Sequence, residues 1–293
     1  MDLRVLLSGL AYSTIFGLSF LFTKNALDYV TPLTFLSLRF IVAFLSYLLL
    51  LITGAVKLGK KPYWKLWKLV LFQPVLYFLF ETYGLQRVNS SEAGMIIALI
   101  PVVVNLLAPF ILKEKGDLLH YLLVGMGFLG VSFIVGFNIT PGNIAGKVFM
   151  LLAVLSGAMY SVFSRKFSKE FTPTEITFFM MMTGAVFFTL LSLSTGDFRP
   201  VFNVHVVIGA LYLGVLSSTV AFFLLNYAIR KMSPIFTTLF SNFTTVVSVI
   251  AGVVFRNETV GTQQIAGMGL IISSLIIMSL RRSYKRLSRA QKL

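Results

Sequence analysis

Glu81 is the side chain in this sequence best placed to do chemistry. It lies inside a long apolar run, where a carboxylate near the centre of a bilayer costs about 2.5–3.5 kcal/mol. Two roles would justify that cost: holding a cationic group of a ligand, or carrying a transferable proton. A structural reading stands beside them, in which Arg39, at similar depth in the preceding apolar run, neutralises Glu81. Gln73, Tyr77 and Glu81 recur every four residues, which predicts a single polar stripe on one helix face. In lipid such a stripe must face protein or a water-filled cavity.

Other runs carry milder constellations. Ser13, Phe16 and Phe20 follow one another near the start of the chain, beside Gly9 and Gly17; the glycines suit close helix packing, while the other three suit a cavity border. Asn105 follows Pro101 by one helical turn. Pro101 removes a backbone hydrogen bond and predicts a helix kink, and Asn105 must find a partner on a neighbouring helix or on a ligand. Tyr160 sits between Ser156 and Ser164, and Asn242 between Thr238 and Thr245; the hydroxyls in both groups can bond their own helix carbonyls. Asn226 has no such local partner and is a further binding candidate. Tyr83 and Tyr227 lie near run ends, where aromatic residues anchor to the interface.

Absences narrow the chemistry. Without cysteine there is no disulfide framework and no thiolate metal or redox site. The segment Gly142–Lys147 falls one residue short of a phosphate-binding loop, and no metalloprotease motif occurs. No catalytic constellation, metal site or cofactor is expected. His120 and His205 stand apart at run ends as polar loop residues.

The elements that must position these residues are membrane spans. The chain has 293 residues, 57% hydrophobic and 12% charged, with mean hydropathy +0.89; a soluble domain carries about 25% charged residues. Ten runs are long enough to cross the hydrocarbon core as helices: 4–23, 32–53, 67–86, 91–112, 119–137, 147–165, 174–194, 204–229, 233–255 and 261–280. The first resembles a signal peptide but reads as a retained helix. With the N-terminus in the cytoplasm, 19 Lys and Arg fall on the cytoplasmic side and 5 opposite, with Arg39 inside a span. The positive-inside rule therefore predicts both termini in the cytoplasm of a cell inner-membrane protein. The net charge of +15 follows from this sorting, so nucleic acid is not an expected partner. The basic end of the chain fits contact with anionic membrane lipids.

The second half repeats the first. At an offset of 144, Phe78 answers Phe222, Tyr83 answers Tyr227, Glu114 answers Glu258 and Gly125 answers Gly269. Near the start of each half Lys24 answers Lys166, and Thr31-Pro32 answers Thr172-Pro173. Five spans per repeat invert one half relative to the other, an arrangement that places a binding site between the halves. The expected fold is thus all-α integral membrane, ten transmembrane helices as two inverted five-helix repeats around a central cavity. The first repeat covers 1–138, the second 139–281, and a basic tail 282–293.

Phe16-Gly17-Leu18-Ser19-Phe20, Arg39-Phe40, and the stretch from Pro101 to Lys113-Glu114 resemble signatures of the drug/metabolite transporter superfamily, in its EamA-type family. Span nine keeps Glu258 but has Thr245 where the family's second repeat usually has Pro. The resemblance implies a monomeric basket in which spans one, three, four, six, eight and nine line the cavity and the others pack outside. It also implies export or import of amino acids, other metabolites or drugs by a secondary carrier. The expectation is a small-molecule substrate, an amino acid or similar amphipathic solute moved outward by alternating access, with H+ as coupling ion. The alternative is a passive channel or lipid-handling flippase on the same fold. A membrane enzyme or scaffold would need a catalytic constellation or docking domain that the sequence does not offer.

Overall fold

Thr31 and Thr172 each start a helix in the same way, from an extended backbone with proline at the next position. Proline has no N–H to waste and a φ already suited to the first turn. At Thr172 the cap is reciprocal: its side chain accepts the Glu175 N–H, and Glu175 accepts the Thr172 N–H at 2.7 Å. These are the starts of α2 (Pro32–Ile52) and α7 (Pro173–Ser194).

The computed structural model describes residues 3–111, 118–135, 141–231 and 234–290. Glu114 lies outside them, as do the side chains of His120 and Asn242. Every regular element among the described residues is helical. Besides α2 and α7 they are α1 (Leu3–Leu27), α3 (67–85), α4 (90–111), α5 (Leu118–Val135), α6 (Pro141–Phe167), α8 (Val204–Lys231), α9 (Pro234–Arg256) and α10 (Thr262–Ala290). Six of them, α1, α2, α4, α6, α7 and α8, are long and apolar enough to cross a membrane. Their outer faces are apolar too: Leu45, Leu48, Leu49 and Ile52 form an exposed stripe on α2, as Val186, Leu190 and Leu193 do on α7. The chain is a multi-pass membrane protein.

Helix α3 is broken where its polar residues lie, and α8 is irregular at the matching place. In α3, Gln73 has φ −150° and ψ 117°, so the helix stops and restarts around Pro74. The predicted stripe is therefore not one continuous helical face, because Pro74 removes an N–H that the ladder needs. The backbone around it, Leu71–Leu76, makes wider π-type turns, and so does Tyr212–Ala221 in α8. The two irregular segments correspond through the 144-residue offset. Helix α4 is interrupted at Ala98–Leu99, just before Pro101.

The helices pair mostly across the two halves. Helix α1 packs on α8 and α9, and α6 packs on α3 and α4, while α2 meets α7, α4 meets α9 and α5 meets α10. Exchanging each helix for its repeat counterpart returns the same set of pairs. Small residues allow the close approaches: a Cβ at Gly130 of α5 would lie 2.6 Å from the Gly267 carbonyl oxygen of α10. Gly9 and Gly17 of α1 do the same against Phe240 and Val247 of α9.

Candidate functional site

Phe78 and Phe222 meet edge-on at 5.9 Å between the halves. They are repeat counterparts, and around them opens a cavity of about 110 Å³. Helix α1 contributes Tyr12, Phe16, Ser19 and Phe20; α3 contributes Gln73, Tyr77, Phe78 and Glu81; α4 contributes Ile97 and Ile100. The second half adds Gly157, Tyr160 and Ser161 from α6, Ser217, Phe222 and Leu225 from α8, and Thr244 from α9. Helix α2 reaches the wall with a single residue, Arg39.

The aromatic rings interlock. Phe222 also packs edge-on against Phe16 at 4.9 Å and Tyr160 at 6.3 Å, and Tyr77 against Phe78 at 5.0 Å. Such pairs add about 0.5–1.5 kcal/mol each beyond burial, so the wall is stiff as well as apolar.

An acid and a base sit in this wall without touching. Arg39 is 1% exposed and Glu81 2%, yet they form no ion pair within 4.0 Å among the described residues. The direct Glu81–Arg39 pair that matched depths allow is not made. Among the described residues Glu81 takes one long bond, 3.5 Å, from the Thr82 hydroxyl. Arg39 donates from Nε to Ser218 at 3.1 Å and from Nη2 to Ser217 at 3.3 Å. Its guanidinium lies 4.2 Å from the Phe78 ring centre, a cation–π contact. Its Nη1 has no acceptor among the described residues. Salt bridges made elsewhere show the contrast: Lys147 and Glu92, both buried, meet at 3.2 Å between α6 and α4.

Of the residues singled out from sequence, Phe16, Phe20, Tyr77, Glu81, Tyr160 and Arg39 share this cavity. Ser13, Asn105 and Asn226 stand off its wall. Ser13 donates to the Gly9 carbonyl of its own helix and Asn105 to that of Pro101, because one turn back is the nearest acceptor in an apolar helix. Asn226 lies behind Tyr160: its Oδ1 accepts from Tyr160 and Ser164, both at 2.8 Å, and its Nδ2 donates to Thr177 at 3.1 Å. The Asn242 side chain is outside the described residues. Sequence reading missed Gln73's extended backbone, Ser217 and Ser218. Pro74 signalled the first, and the 144-residue offset, carrying Gln73 onto Ser217, pointed to the others.

Helix ends around the site are tied across the chain. Lys24 at the end of α1 donates to the carbonyls of Leu85, the last residue of α3, and of Val88 beyond it, at 2.6 and 2.7 Å. In the second half Arg165, and not Lys166, plays that part, donating to the Ile229 carbonyl of α8 at 2.8 Å.

Comparison with known proteins agrees with this architecture. The model of the EamA-like transporter family matches residues 3–136 and again 144–280. An uncharacterized transporter of Bacillus subtilis, YcxC, is 34% identical over 92% of this chain and 91% of its own. Protein PecM of Dickeya dadantii is 23% identical over 73% of each chain. A solved crystal structure superposes with a TM-score of 0.71 over 92% of this chain and 96% of the other, at 19% identity, a likeness of fold alone. The chain belongs to the EamA-like transporter family.

Proposed function

We propose that this protein is a secondary transporter that exports a small amphipathic solute, an amino acid or a close analogue, across the cytoplasmic membrane by alternating access. One observation carries the reading. A cavity walled by both halves holds an acid and a base apart, inside a ring of aromatic side chains. A solute that is apolar on one side and dipolar on the other complements such a wall.

Several features support two inverted halves, 1–138 and 139–281, moving about that cavity. Helix pairing survives the exchange of counterparts, the family matches twice, and five spans per half reverse the direction of the second. The sorting of Lys and Arg supports cytoplasmic termini. The break in α3 and the wider turns of α8 bring Gln73 and Ser217 to the cavity wall, and a discontinuous helix at the binding site suits a carrier of this general design. Glu81 serves as the proton site: it is buried, lines the cavity and has one weak partner. The described cavity wall comes from both halves of one chain, which supports a monomer as the working unit.

Counterflow in proteoliposomes tests the proposal. A carrier preloaded with unlabelled amino acid accumulates labelled amino acid from outside, driven by exchange. Equilibration without trans-stimulation would instead identify a passive channel, and movement of lipid alone a flippase.

A further inference from the structure

Arg39 presents an unusual combination: full burial, a positive charge, and one guanidinium nitrogen with nothing to donate to among the described residues. A buried charge without a counter-charge is costly, and in a membrane span the cost is met by a partner or by function. The nearest candidate partner, Glu81, shares the cavity wall but stays beyond 4.0 Å. Ser217 and Ser218 do not cancel the charge; their hydroxyls only hold the guanidinium by Nε and Nη2. Phe78 lies against it at 4.2 Å. The planar group is thus fixed on three sides, with Nη1 left over. Both serines belong to the irregular segment of α8, where π-type turns replace the regular helix.

We propose that Arg39 is the carboxylate subsite of the cavity, with Ser217 and Ser218 as positioning residues that keep its free nitrogen available for one oxygen of the ligand. This rests on the transport reading above and narrows it. The ligand bears a carboxylate, and in a zwitterion its ammonium group answers Glu81 across the same cavity. Arg suits the task because its planar fork stays charged and loses little freedom on binding. An acid and a base held apart in one wall are each left under-compensated, and a dipolar ligand relieves both at once.

Three probes of one shape separate the parts: L-phenylalanine, 2-phenylethylamine, which lacks the carboxylate, and 3-phenylpropionate, which lacks the ammonium. Binding to the purified full chain is read by thermal stabilisation in chloride-free buffer, so that a halide does not occupy the subsite. In the wild type L-phenylalanine is expected to bind about tenfold or more tightly than the amine, as charge-assisted hydrogen bonds do. Arg39→Gln is expected to abolish that preference, read as the ratio of the two affinities. The double variant Ser217→Ala/Ser218→Ala keeps the charge and is expected to shrink the preference, a selective loss that a general weakening of the fold would not produce. If Arg39→Gln does not fold, the serine variant carries the test alone. Equal binding of amine and amino acid by the wild type, or an undiminished preference in the variants, overturns the subsite and leaves the transport reading standing. No stabilisation by any of the three overturns the subsite, while the counterflow experiment decides the transport reading.

Discussion

Glu258 and Ser91 are joined by two hydrogen bonds to one carboxylate oxygen, 2.8 Å from the Ser91 N–H and 2.6 Å from its hydroxyl. Ser90 does the same to the other oxygen, at 2.9 and 2.8 Å. Glu258 follows α9 in the second half, while Ser90 and Ser91 begin α4 in the first. The N-terminal turn of α4 therefore gives its free N–H groups to a carboxylate from the opposite repeat. Arg256 flanks it with Nε 3.8 Å away, and donates to Asn25 and, at 3.1 Å, to Asp28. One end of the α1–α4–α9 contact is closed by this cluster.

Burial of Glu258 works against its charge, but the bonds from Ser91 and Ser90 win and hold its carboxyl below the usual carboxylate value. The sign follows. A carboxylate with a depressed folded-state pKa adds stability above its unfolded value, about 4.3, and loses it as pH falls through the folded-state value. Glu258→Gln is expected to lower the melting temperature at neutral pH, removing at least about 1.5 kcal/mol. The gap from wild type is expected to close on acidification below about pH 4.3. Melting curves across pH 3–7 check both.

Asn226→Ala is expected to cost about 1–3 kcal/mol for each buried group it leaves unpaired. Tyr160, Ser164 and Thr177 all lose a partner. Because Tyr160 lines the cavity, solute affinity is expected to fall as well. Tyr160→Phe, which removes one hydroxyl, is expected to be milder in melting. Thermal unfolding and solute binding of the two variants provide the comparison.

Thr172→Ala is expected to destabilise by about 0.5–2 kcal/mol, and by more than Thr31→Ala at the counterpart cap. Thr172 takes part in a reciprocal box whose Glu175 also pairs with Lys61 at 2.8 Å and accepts from Tyr63 at 3.2 Å. The Thr31 hydroxyl accepts from the Thr34 N–H at 3.4 Å and donates to the Thr34 hydroxyl at 3.0 Å, contacts with one neighbouring threonine and, among the described residues, no charged group. Melting temperatures of the two variants decide the ranking.

Glu81→Gln is expected to abolish proton-driven accumulation and, because the solute's ammonium group answers the same carboxylate, to weaken exchange of labelled for unlabelled solute. Transport with unchanged pH dependence would leave Glu81 only a structural part. Proteoliposome uptake with and without an imposed pH gradient separates the two.

Six spans were legible because about 20 consecutive apolar residues have few other uses, and the Thr-Pro starts because capping chemistry is local. The aromatic wall was partly legible: Phe78 and Phe222 announced themselves through the repeat. Asn226 was not, since an unmatched amide in a span serves equally to hold a neighbour such as Tyr160 or to face a ligand. Similar depth brought Arg39 and Glu81 to one cavity but could not set the gap between them. Side-chain direction there depends on the broken backbone at Gln73 and on Ser217 and Ser218 from the other half.

The absence of native cysteine makes the most direct test clean. A single cysteine in place of Ser161 on the cavity wall is exposed to a membrane-impermeant thiol reagent from each face of sealed, uniformly oriented vesicles. Two inverted halves rocking about a shared cavity predict labelling from both faces, with the ratio shifting when amino acid is added to one side. Labelling confined to one face, whatever the solute gradient, contradicts the account.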